Sequence, residues 1–120
     1  METQQDPGFL EISESELDYL FENGEFPASV IARSEKVVVL MSQDWCPQWP
    51  AMQSYLSGFT GGMSIFVLLY NLHPRFGKIR NFKENTFRNH AVPYLRYYRR
   101  GVLVGESNYL NKAGFEAKLE

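Results

Sequence analysis

Lys36-Val37-Val38-Val39-Leu40-Met41-Ser42-Gln43-Asp44-Trp45-Cys46-Pro47-Gln48-Trp49 is the stretch that decides how this chain folds. The three valines, Leu40 and Met41 follow one another with no polar residue between them. Lys36 to Ser42 therefore reads as a strand buried on both faces, as at the centre of a covered sheet. The chain's one cysteine comes four residues later, between that strand and a helix expected from Pro47 to Leu56, which Ser57-Gly58 would end. Pro50 lacks an amide, so the first turn is expected either to be distorted or to start effectively near Pro50.

Upstream of this stretch, Phe9 to Ile12 reads as a short strand. Ser13 and Glu16 form a capping-box signature, with Leu17, Leu20 and Phe21 as the inward face of the helix that follows. Asn23-Gly24 should end it. Glu25 to Arg33 leaves two readings open, a short helical turn over Ala28 to Ala32 or an extended piece.

Downstream, Gly61-Gly62 marks a turn and Ser64 to Tyr70 a second buried strand. His73-Pro74 and Gly77 read as a loop, and Lys83 to His90 as a short helix. Pro93 to Tyr98 is expected as a strand, Arg99-Arg100-Gly101 as a tight turn, and Val102 to Gly105 as its hairpin partner. Tyr109 to Leu119 reads as a closing helix with Leu110, Phe115 and Leu119 inward. The order is β-α-β-α-β-α-β-β-α. Two central strands joined through a helix imply a parallel crossover, and the hairpin adds antiparallel strands. The expectation is an α/β fold with a central mixed sheet and helices on both faces.

The bulk properties fit one domain over residues 1–120, with 1–8 as a flexible tail. The 120 residues are 44% hydrophobic and 22% charged, as expected of one globular domain with a real core. A single cysteine permits no internal disulfide and suits a reducing compartment. The polar, acidic start lacks the pattern of a secretory signal, and no apolar run approaches a membrane span. A cytoplasmic protein with no membrane association and a monomeric state are the default expectations. The formal net charge of −2 hides an acidic first part and a basic stretch from Arg75 to Arg100. The plain account of that split is two solvated faces, complementary to each other.

Element order and motifs together resemble the thioredoxin fold over nearly the whole chain, from about Phe9. Asp44-Trp45-Cys46-Pro47-Gln48-Trp49 is similar to that family's Trp-Cys-x-x-Cys site. Ala91-Val92-Pro93-Tyr94-Leu95 is similar to the segment holding its cis-proline, which would be Pro93. Tyr98 to Gly105 is similar to its closing hairpin. The resemblance implies that Cys46 is the catalytic nucleophile. It also implies that Trp45, Pro47, Trp49, Val92 and Pro93 line a groove in which the main chain of Val92 binds an extended peptide. Two departures limit the chemistry. Trp49 stands where the second cysteine would be, and Leu40 where thioredoxins bury an aspartate.

Two functions follow. One is monothiol disulfide exchange through Cys46, using an outside thiol such as glutathione as co-substrate and acting on protein or peptide thiols and disulfides. Exchange passes through a mixed disulfide, which Trp49 cannot resolve. A helix start favours thiolate, while Asp44 and nearby rings oppose it. The other function is a redox-inactive peptide- or protein-binding module on the same scaffold, with both tryptophans supplying contact area. The place of Cys46 outside the apolar strand leads us to expect an accessible thiol.

No other chemistry stands out. Cys46, His73 and His90 lack metal-ligand spacing, and no metal or resident cofactor is expected. Tyr94, Arg96 and Tyr98 share one strand face, which could stack on a nucleic acid, but tyrosines covering the core account for it better.

Overall fold

The computed structural model describes residues 8–119. The tail expected over 1–8 thus lies outside the described residues except for Gly8. That glycine sits so close to Thr60 that a Cβ there would collide with the threonine side chain.

Among the described residues, five strands form one sheet in the order β1-β3-β2-β4-β5. They are β1 (Phe9–Leu10), β2 (Lys36–Ser42), β3 (Ser64–Leu69), β4 (Tyr94–Arg99) and β5 (Val102–Ser107). β3 runs parallel to both β1 and β2, whereas β4 runs antiparallel to β2 and to β5. The mixed α/β sheet expected from the sequence is therefore present. β2 sits at its centre because its residues are apolar on both sides. Val37, Val39 and Met41 enter one apolar cluster, and Val38 and Leu40 the other. All five are fully buried, and each such aliphatic side chain contributes roughly 1.5–3 kcal/mol through burial.

The first cluster is covered by α1 (Glu14–Asn23), α2 (Ala28–Ile31) and α4 (Phe76–Asn85), through Leu17, Leu20, Val30 and Ile79. The second is covered by α3 (Gln48–Leu56) and α5 (Lys112–Lys118), through Trp49, Met52, Leu56 and Phe115. α1 begins with the expected capping box between Ser13 and Glu16 and ends at Gly24 in the left-handed region. The undecided stretch after it contains the helical turn α2. The hairpin turn places Arg100 at φ 53° and Gly101 at φ 78°, the paired left-handed geometry that matches the twist of the flanking strands.

Several boundaries differ from the sequence reading. The helix expected over Lys83 to His90 instead runs from Phe76 to Asn85. Gly77, which reads as loop in the sequence, lies in the first turn of α4. Ile79 and Lys83 mark its buried face at i, i+4 spacing. The closing helix starts at Lys112 rather than Tyr109, because the Asn111 side chain caps it by accepting the Gly114 amide at 2.9 Å. β1 is only two residues long, β4 starts at Tyr94, and β5 extends to Ser107.

The charge split resolves into contacts between the two halves. Arg75 pairs with Asp18 at 2.7 Å and His73 with Glu14 at 2.8 Å, tying the start of α4 to acidic α1. Among the described residues no helix is long and apolar enough to cross a membrane.

Candidate functional site

The C-terminal end of β2 leads into the turn Gln43–Pro47, and a web of polar contacts fixes that turn. The Cys46 amide donates to the Gln43 carbonyl at 3.1 Å, and the Trp49 amide to the Cys46 carbonyl at 3.1 Å. The Gln43 side chain donates to the Tyr70 hydroxyl at 3.3 Å and accepts the indole N–H of Trp45. The Asp44 amide donates to Asn71 Oδ1 at 2.9 Å, and the Asn71 amide donates back to the Asp44 carboxylate at 2.6 Å. Tyr70 and Asn71 follow β3, so the turn is braced by the neighbouring strand's own exit.

The same turn sends its two characteristic side chains in opposite directions. Trp45 is 63% exposed, whereas Cys46 is 3% exposed. The thiol lies in the apolar cluster with Leu40, Trp49 and Met52. This corrects the expectation of an accessible cysteine: its position outside the strand does not keep the following helix from covering it. Trp49, expected to line the groove and supply contact area, is 7% exposed and packs on Phe9 with ring centroids 6.1 Å apart. Trp49, in the first turn of α3, turns inward and belongs to the same apolar cluster as the thiol. Its outer edge helps to line a cleft of about 570 Å³ together with Leu10, Ile12, Leu69 and Leu72.

Pro47 is exposed and caps α3, and Pro50 is its third helical residue. First-turn amides have no intrahelical acceptor in any helix, so Pro50 removes no helix bond, and the helix starts at Gln48, near Pro50.

Across from the turn, the Val92–Pro93 peptide is cis. Val92 is half-buried and packs against both apolar clusters, including the one that holds Cys46 and Trp49. Pro93 is buried, and its carbonyl accepts the Asn108 side chain at 2.9 Å. Of the expected groove residues, Trp49 and Val92 thus share a cluster with Cys46, while Trp45 projects into solvent above them.

Sequence reasoning missed several residues here. Lys83 is fully buried, its Nζ donating to the Asn89 carbonyl at 2.8 Å and the Ala91 carbonyl at 2.7 Å. Burial lowers its pKa to about 8. The signal was a lysine on the inward face of α4, invisible while that helix was placed too late. The strand face of Tyr94, Arg96 and Tyr98 is turned inward. Arg96 stacks 3.8 Å from the Phe87 ring centre and pairs with Glu25 at 2.6 Å. These three side chains present no platform for bases. Among the described residues, no group of three or more metal-ligating side chains converges.

No protein-family model and no curated protein matches the sequence. Solved structures do. The fold is similar to a putative oxidoreductase with a thioredoxin fold, with a TM-score of 0.65 and 15% identity over 97% of this chain and 98% of that one. It is similar to oxidized thioredoxin O1 from Arabidopsis thaliana, with a TM-score of 0.63 and 16% identity over 92% and 93% of the two chains. A mutant thioredoxin from Halobacterium salinarum superimposes with a TM-score of 0.59 and 15% identity over 97% and 90%. With β2 at the centre of the sheet and Cys46 at the turn into α3, this chain has the thioredoxin fold and carries a single cysteine.

Proposed function

We propose that this chain is a peptide- or protein-binding module on a thioredoxin scaffold, with Trp45 and the Val92 main chain as its contact surface. The observation that carries this reading is the divergence of two adjacent side chains: the turn buries the Cys46 thiol and displays the Trp45 indole. A thiol must reach a disulfide sulfur in line to exchange with it, and here the cluster of Leu40, Trp49 and Met52 surrounds it. An exposed tryptophan held by a side-chain hydrogen bond offers a large contact area that loses little freedom on binding.

The expected behaviour is slow alkylation of Cys46 in the native chain, rapid alkylation after unfolding, and no glutathione-dependent reduction of hydroxyethyl disulfide. On an immobilised chain, Cys46→Ser should retain the partners that wild type retains, and Trp45→Ala should lose them. Sustained disulfide turnover by the native protein would overturn the reading in favour of monothiol exchange. That second reading draws support from the place of Cys46, two residues ahead of the α3 N-terminus at the site position of the fold.

A further inference from the structure

The segment carrying Val92 is held from inside by two polar side chains on separate elements. Lys83, on α4, donates to the carbonyls of Asn89 and Ala91. Asn108, just after β5, donates to the Pro93 carbonyl at 2.9 Å and to Asn89 Oδ1 at 2.9 Å. Asn89 returns a bond to Asn108 Oδ1 at 3.2 Å and accepts the Ala91 amide at 3.1 Å. The carbonyls of Asn89, Ala91 and Pro93 are all taken in this way, and none of these bonds engages the amide or carbonyl of Val92.

A buried ammonium is a costly means of fixing a loop. Its desolvation is strongly unfavourable, and an apolar side chain packed in its place is often as stable or more so. What an apolar side chain would not do is orient two backbone carbonyls.

We infer that Lys83 and Asn108 are paired positioning residues, which aim the Val92 main chain at the N–H and C=O groups of an extended peptide. The inference rests on the peptide-binding reading above and adds the side chains that hold its main-chain contact in place.

The test uses the full ¹⁵N-labelled chain, a blocked pentapeptide of alternating valine and serine, and the same peptide N-methylated throughout. In wild type the plain peptide should shift the Val92 amide signal and the N-methylated one should not. Lys83→Met and Asn108→Ala should each weaken plain-peptide binding at least about tenfold, as expected when a contact group is displaced. Both should speed amide exchange at Ala91, whose amide donates to Asn89 Oδ1, while sparing Val38 and Val39 in β2. Asn108→Ala leaves no buried charge behind and keeps the test open if Lys83→Met does not fold. Wild-type affinity in the variants overturns the inference, and so does unchanged exchange at Ala91. If wild-type Val92 responds to neither peptide, the binding reading fails by itself, and the exchange rates still decide whether the pair positions the segment.

Discussion

Arg96 and Glu25 meet at 2.6 Å across the fold, joining the middle of β4 to the loop between α1 and α2. The arginine is buried and the carboxylate partly open to water. Tyr94, Tyr98 and Glu106 complete its shell: Arg96 donates to the two tyrosine hydroxyls at 2.9 and 2.7 Å, Tyr98 donates to Glu25 at 2.6 Å, and the Glu106 carboxylate lies 3.7 Å from the guanidinium.

That asymmetry sets the first prediction. Glu25→Ala leaves a guanidinium that cannot release its proton inside the protein with only the longer Glu106 pair, at a cost of up to about 3 kcal/mol. Arg96→Met removes the charge and leaves a carboxylate that water can reach. It should destabilise by clearly less than Glu25→Ala. Urea unfolding of the two variants checks the order, and a larger loss for Arg96→Met would refute it.

The two tryptophans supply the second prediction. Trp49→Ala should cost about 3–5 kcal/mol, the usual range for truncating a large buried aromatic. Trp45→Ala should stay within about 0.5 kcal/mol, as at an exposed position. In the Trp49→Phe variant the remaining indole should be readily quenched by acrylamide; in Trp45→Phe it should be protected.

The strand order was legible because β2 and β3 are apolar on both faces, and because Ser13, Gly24, Arg100 and Gly101 carry local signals of caps and turns. The position of the site was legible for the same reason: Cys46 follows the central strand directly. Burial of its side chain was not. Whether α3 covers the thiol depends on how Trp49 packs against Phe9, which is 40 positions away in the chain. The extent of α4 is not legible because Gly77 masks the helical spacing of Phe76, Ile79 and Lys83. Without that face, nothing local turns Lys83 inward toward Ala91. The Glu25–Arg96 pair joins residues with no local signature at all.

The third prediction concerns pH. Burial lowers the Lys83 pKa to about 8, from 10.5 in an ordinary lysine. Between these values the unfolded chain binds a proton that the folded chain does not. Stability contributed at this site therefore rises as pH increases from about 8 to about 10.5 and is flat below that window. The rise is at most roughly 3.5 kcal/mol, at about 1.4 kcal/mol per unit of pKa. Denaturant unfolding of wild type and Lys83→Met at pH 7 and pH 10 isolates it. The difference in stability between the two proteins should shift in favour of wild type at the higher pH, and a pH-independent difference would disprove the assignment.

The hairpin turn between β4 and β5 yields the last prediction. Arg100 holds φ 53°, a conformation in which a non-glycine residue with a full side chain carries about 1–2 kcal/mol of steric strain. Asparagine tolerates that region better, and Asn-Gly is the favoured pair for a two-residue turn of this type. The arginine gives little in return. Its contact with Glu35 is 3.5 Å long between exposed side chains, and such pairs contribute little. Its amide donates to the Glu35 carbonyl at 2.8 Å, a bond that any residue but proline retains. Arg100→Asn should therefore stabilise the chain by about 0.5–1 kcal/mol, read as a higher urea midpoint at constant slope. Arg100→Gly relieves the same strain but adds freedom to the unfolded chain, so it should fall short of asparagine. Arg100→Val, whose β-branched side chain clashes most in this region, should be the least stable of the series. A series in which valine matches asparagine would show that the turn does not hold this geometry in solution.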